Sequence, residues 1–441
     1  MNPLFNNIEE PPEVAPQYKE KQLKPMKTTY LFIFLLLILE SCALKETPFK
    51  SIQDFDVKPS NSAATNKQNL QKAVDWASER GAALYIEPTS EPYPVDGGII
   101  LKKNVSLIGA NGPVPGGTCH PTEKHPVGSV FKITDHNNPF ITVESATQIR
   151  GIQFWYPEQP VDDPSKVIAY PPTIQNSKDK SIVGVTLSCL SFFGEYMAMD
   201  FNATRENSIA LITFEHCYGY PYSGEFIRIK HCYDIPRILH CHVNPALQSQ
   251  FKGHSSPEII DAVIAKKSYC YSIEYTDNAQ LMDIFCFGVY GGIELGGETY
   301  GQLTNFNFDC VAVGIHKYGN QNVNRNWQIA QGSIIANTGE ESVKDIHPLI
   351  IEGEGHTALS NVEIFSGKNA ALTCIPELQS GDYMLVKGDK RLTVTISGCR
   401  MTRYFSENPL TVENKKALIQ AIGCVDKYQQ PFNRTINGKT D

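Results

Sequence analysis

Short runs of alternating apolar and polar residues recur along this 441-residue chain, with equivalent runs about two dozen residues apart. Ile182–Leu187, Leu211–Phe214, Phe226–Lys230, Leu303–Phe308 and Leu392–Ile396 are such runs, with Gly, Asn or Asp close behind. Alternation at period two marks a strand with one buried face, and the residues that follow are turn formers. The cysteines repeat the same step. Cys217 and Cys241 are 24 residues apart, Cys286 and Cys310 are 24, and Cys399 and Cys424 are 25. Cys241 to Cys286 is 45, close to two steps. Several short strands per step describe a coil in which each turn stacks on the last at about 4.8 Å. Like side chains one step apart then form interior ladders, with cysteine as a small buried hydrophobe. About 300 residues at this step give on the order of twelve turns. An apolar strand residue lies three back from Cys217 (Phe214), Cys241 (Ile238) and Cys399 (Ile396) and two back from Cys189 (Leu187), Cys286 (Ile284) and Cys310 (Phe308). That leaves two ladders, or one ladder broken by bulges.

An open coil exposes the backbone of its first turn, and the sequence offers a cover. Thr65–Gln68 has the form of a capping box, Leu70, Ala73, Val74 and Ala77 make one helical stripe, and Gly81 stands where a helix would stop. The pattern predicts a helix over 66–80, and a second is expected at Glu413–Ala421. A sandwich or a propeller would leave the first helix without a role.

The amino-terminal run Tyr30–Leu39 holds ten apolar residues behind Lys24 and Lys27. That is too short to span a bilayer but matches the core of a secretory signal. Leu39–Cys42 resembles a bacterial lipobox, with Glu40 in place of the usual small residue. The expectation is an exported protein of the bacterial cell envelope, held to a membrane by lipid on Cys42. Met26 reads as the start, so that 1–42 comprises an upstream segment (1–25) and the signal; a single-span anchor is the alternative. Residues 43–62 read as a tether, 63–425 as the folded domain and 426–441 as a tail. Removing Cys42 from twelve cysteines leaves eleven, an odd number, so complete pairing within the chain is excluded and disulfides are the lesser reading. A formal charge of −8 and a pI near 5.8 argue against a nucleic-acid partner. The expected state is a monomer.

The order of helix, LYIEP, YPVDGGIIL and NVSLIGANG resembles the opening of the pectate-lyase superfamily, nearest its rhamnogalacturonase and epimerase-like branch. The paired Asp and Gly-Asp-Gly usual before that helix are replaced here by Lys58–Ser62. The resemblance covers about 53–425 and implies an all-β fold: a single-stranded right-handed parallel β-helix with an N-terminal capping α-helix. It also implies polysaccharide processing in a groove along the coil, by a glycoside hydrolase, with a polysaccharide lyase or a non-catalytic glycan-binding surface lipoprotein as alternatives.

The densest polar stretch is FIRIKHCYDIPRILHCH, residues 226–242. Ile227 and Ile229 should point inward, leaving Arg228 and Lys230 on one outer face. Arg-Ile-Lys resembles one motif of polygalacturonase-type hydrolases, whose cations bind the sugar carboxylate, but the Gly-His-Gly of that family is missing upstream. Asp234 reads as an acid or base, and Arg237 and His242 as substrate contacts, with an Asp234–Arg237 turn brace as the plainer alternative. Glycoside hydrolysis needs two carboxyls. Glu225 with Asp234 is the nearest pair, and Glu294 with Glu298 a further one, in a glycine-rich segment (GGIELGGETYGQ) where a ligand could approach closely. Trp155, Tyr156 and Tyr170 bracket a Pro-rich excursion and could stack on sugar faces or pack the loop. His231, His240 and His242 lack a clear fourth zinc ligand. No cofactor is expected; Ca²⁺ would enter only for a lyase, and no dense acidic cluster favours it.

Overall fold

A computed structural model describes residues 49–112, 125–247, 255–319, 325–336, 347–365, 382–401 and 408–438. The chain divides into Met1–Thr47 and Pro48–Asp441, and the first part, with the Tyr30–Leu39 run and Cys42, lies outside the described residues. Among the described residues no helix is long and apolar enough to cross a membrane.

The second unit is a stack of parallel strands. One sheet has eleven strands, from Ile99–Leu101 to Leu410–Val412, each paired with the next in chain order. A larger sheet of 21 strands carries the remaining rungs. The named strands pair in parallel except for Ala417–Val425 with Pro431–Asn437. Among the described residues the eleven strands of the first sheet agree with the expected order of twelve turns. Alternation does what the sequence implied: Ile227 and Ile229 are buried while Arg228 and Lys230 face outward.

Corners are built from single residues in the left-handed region. In register on successive turns stand Gly151, Cys189, His216, His240, Asp283, Asn305, Gln331, Asn361, Gly398 and Gly423, with φ between 50° and 69°. A second such column holds His231, Tyr275, Gly297, Gly319, Gly353 and Gly388. A Cβ on Gly353, at φ 88°, would overlap the Gly319 carbonyl oxygen one turn below. Gly353→Ala is therefore expected to destabilise the fold by about 3 kcal/mol or more, through backbone strain plus overpacking. Urea unfolding checks this; an unchanged midpoint would mean that the corner tolerates a side chain.

The first helix, α1 (Ala63–Arg80), buries Leu70, Ala73, Val74 and Ala77, and Gly81 closes it at φ 62°. Its cap is Ser62, whose hydroxyl accepts from the Thr65 amide, three residues earlier than the expected box. The helix covers the edge strand as an added rung would. Gln71 accepts from the Ile100 amide at 2.9 Å and donates to the Ile100 carbonyl at 3.1 Å.

Four expectations change. Residues 49–62, read as tether, include the strand Phe49–Ser51 and the buried Ile52 and Val57. Glu413–Ala421, expected as a helix, gives way to the strand Ala417–Val425. Part of the expected tail, Pro431–Asn437, pairs with that strand and closes the sheet. The helix that does exist is α2 (Pro257–Ala265), capped by Ser256, with Ile259, Ile260, Val263 and Ile264 buried. It rides on a long turn: Cys241 pairs in register with Ile284, 43 residues on, so the Cys241–Cys286 interval is one turn and not two. Cys217 with Cys241, and Cys399 with Cys424, do stack in register as buried thiols. Cys286 instead lies over Val243 and under Phe308, a second ladder.

Candidate functional site

The outer face of the eleven-stranded sheet carries a dense polar cluster. Asp200, Arg228, Ser272, Glu294 and His316 occupy one column on five successive strands. Two positions along, Asn202, Lys230, Glu274 and Gly296 form a second column. The structure thereby brings together four of the residues singled out in the sequence, namely Glu225, Arg228, Lys230 and Glu294.

Arg228 is the hub of one end. It donates to Glu225 and lies 3.8 Å from Asp200. Lys230 pairs with Glu274 at 3.4 Å and lies over the Tyr275 ring. Glu294 sits between the turns above and below. Burial pushes its carboxyl above the usual range, the Ser272 hydroxyl donating at 2.6 Å pulls it back in part, and the charges of Glu274 and Glu225 push it further up. Glu274 lies one turn away and two residues along, which places its Cα on the order of 8 Å from that of Glu294.

The glycines around Glu294 do not open space for a ligand, as the sequence suggested. A Cβ on Gly291 would strike the Tyr269 ring, and one on Gly296 the Tyr318 ring, so two tyrosines fill the room the glycines leave. Tyr318 lies near Glu294, with burial and then the Glu294 charge opposing ionisation of the Tyr318 hydroxyl, and Tyr269 faces His316 Nδ1 at 3.2 Å. His316 Nε2 faces Glu352 at 2.6 Å, and that bond, with Lys387 at 3.7 Å, holds the Glu352 carboxyl below its usual range against the opposing effect of burial. Rings on both sides, a buried carboxyl raised above its usual range and paired carboxylates and cations make a face suited to a polar ligand.

The remaining sequence candidates lie elsewhere. Asp234 is exposed at the far end of strand Ile227–Lys230 from Glu225, so those two acids flank a strand and do not face each other. Arg237 is on the larger sheet and donates to the Ile235 carbonyl at 3.4 Å. Glu298 lines a corner cavity of about 610 Å³ with Arg205, His231, Tyr233 and Tyr275. His242 stacks on Phe285 in the larger sheet, and burial lowers its pKa. Trp155 is half-buried on that sheet with Lys132 over its ring. Tyr156 and Tyr170 are 3% and 2% exposed and meet edge-on at 4.7 Å, so they pack the excursion onto the coil and offer no face to a sugar. His231 and His240 stand in different corner columns, stacked on Tyr275 and His216 respectively. Among the described residues no group of three or more His, Cys, Asp or Glu could hold a metal ion.

Sequence reasoning passed over Asp200, Ser272, Glu274, His316 and Glu352. The strand alternation of YCYSIE and VGIHK, which puts Ser272, Glu274 and His316 outward, was the available signal.

Fold and face together define a stack of parallel strands with a polar flank on the eleven-stranded sheet. No protein-family model matches the chain, and no curated protein matches it in sequence. Solved structures do resemble it. The N-terminal fragment of bacteriophage Phi29 gene product 12 has 11% identity and a TM-score of 0.55, over 90% of this chain and 69% of that one. DFA-IIIase from Arthrobacter chlorophenolicus A6 in complex with GF2 has 12% identity and a TM-score of 0.54, over 87% and 96%. An Acinetobacter phage tailspike has 8% identity and a TM-score of 0.52; the chain spans 65% of its length. At these identities the likeness is one of fold.

Proposed function

We propose that the chain cleaves a polysaccharide by glycoside hydrolysis on the outer face of the eleven-stranded sheet. The observation that carries this is the pairing of Glu294, whose carboxyl burial pushes above its usual range, with the ion-paired Glu274 on the adjacent turn. Glu294 gives its proton to the departing glycosidic oxygen as the bond to the anomeric carbon breaks. Glu274 takes a proton from the water that adds to that carbon. Arg228 and Lys230 supply the positive charge that a uronic acid or other anionic sugar would meet. Fold neighbours that include a DFA-IIIase complex with GF2 and a phage tailspike are consistent with this reading. Incubation with neutral and acidic polysaccharides tests it. New reducing ends without an unsaturated product are expected; ultraviolet absorption from an unsaturated end would replace hydrolysis by elimination, and no product from any polymer would leave a binding role.

The reading includes placement at the bacterial envelope by lipid on Cys42. Cys42→Ser should move the protein from the membrane fraction to the soluble fraction; retention in the membrane would point to an uncleaved anchor.

A further inference from the structure

On the outer side of the larger sheet, along the first left-handed column, lies a trough of about 510 Å³ that the reaction at Glu294 does not use. Its floor is the column itself. Asp283, Asn305, Gln331 and Asn361 stand in register on four successive turns, a run of about 14 Å at one strand spacing per turn. Two residues along, a parallel row rises as one wall. His242 stacks on Phe285 with ring centroids 4.3 Å apart, and Asn307, Ser333 and Glu363 continue the row on the next turns.

The chemistry of this lining is that of hydroxyl recognition. Each carboxamide offers a donor and an acceptor, as a sugar hydroxyl does in return, and the Phe285 and His242 rings suit the apolar face of a pyranose. Among the described lining residues there is no lysine or arginine. The two carboxylates already have partners: Asp283 meets His240 at 2.8 Å, and Glu363 meets Arg400 at 3.3 Å. An anionic sugar would meet two acids whose partners are already engaged, and no lysine or arginine in the lining itself.

Backbone conformation adds a second argument. At the ends of the column Gly151, Gly398 and Gly423 take the positive φ, which costs glycine little. In between, the chain keeps side chains there, including Gln331 at φ 55°, a residue type that rarely visits this region. Asp and Asn enter this region readily, but Gln331 retained where glycine fits more easily points to a use for that side chain.

We propose that this trough binds a neutral, unbranched glycan lying along the coil axis, at a site separate from the hydrolytic face. The proposal rests on the carbohydrate reading above but not on its chemistry. The same backbone feature supplies the test, because glycine removes each side chain and relieves the φ. The triple variant Asn305→Gly/Gln331→Gly/Asn361→Gly should keep the wild-type melting temperature or exceed it. Calorimetric titration with cellohexaose, maltohexaose, laminarihexaose and inulohexaose should show binding of at least one, weakened tenfold or more in the triple variant, and a hexagalacturonate should not compete. Absence of binding to all four, undiminished binding in the folded triple variant, or competition by hexagalacturonate would each overturn the proposal. Reducing-end release reads Glu294 and titration reads the trough, so either conclusion can fail without the other.

Discussion

Glu294→Gln should lower the turnover number by 10²- to 10⁴-fold, the usual contribution of a positioned general acid, with a small change in KM. Gln keeps the size of the side chain and still accepts from the Ser272 hydroxyl but has no proton to give. The pH profile gives an independent reading. Burial and the neighbouring carboxylates raise the Glu294 pKa, so the active, protonated form persists upward from the ordinary carboxylate range and is lost as pH rises through the raised value. The Ser272 hydroxyl stabilises the charged form and so opposes that rise. Ser272→Ala should therefore move the alkaline limb of activity to higher pH. Full turnover in Glu294→Gln, or an alkaline limb that does not move in Ser272→Ala, would remove Glu294 from the role of acid.

The coil was legible because its signals are local. Alternation placed Ile227 inward and Arg228 outward, and Gly, Asn and Asp marked corners that proved to be left-handed residues. The step was legible only in part, because turns differ in length. Cys217 and Cys241 are true partners at 24 residues, but Cys310, also 24 residues beyond Cys286, has no such relation to it; Cys286 meets Phe308. The excursion carrying α2 stretches one turn to 43 residues, which looked like two. The site suffered most from this variation. Arg228 reaches Ser272 across 44 residues and Glu294 after 22 more, so no single spacing in the sequence exposes the column. Asp234 looked like a partner for Glu225 because it is near in sequence, yet the chain has turned a corner by then. Gly291 and Gly296 were read as openings because the rings that occupy their space come from other turns, at Tyr269 and Tyr318.

A large dependence of stability on pH should come from a residue with no part in the proposed reaction. Glu195 is fully buried, and neither carboxylate oxygen has a well-formed hydrogen bond among the described residues. It lies against Gly219, where a Cβ would collide with it, and near Tyr156 and Tyr222, whose own ionisation it opposes. Burial pushes its pKa up from 4.5 to about 8, with the backbone amides of Glu195 and Tyr220 offsetting the rise only in part. In the folded chain the proton stays on up to that value, whereas in the unfolded chain it leaves near 4.5. Unfolding thus releases a proton between these limits, and stability must fall as pH rises from 4.5 toward 8, levelling off above it. At pH 7 the loss is about 3 kcal/mol. Glu195→Gln has no proton to lose, so it should match the wild type near pH 4.5 and exceed it by that amount at pH 7. Comparing the two proteins cancels every other titrating group. Urea unfolding at pH 5, 7 and 8.5 measures the difference; two curves that stay parallel across this range would show that Glu195 reaches water or a cation in solution and does not enter the fold as a neutral acid.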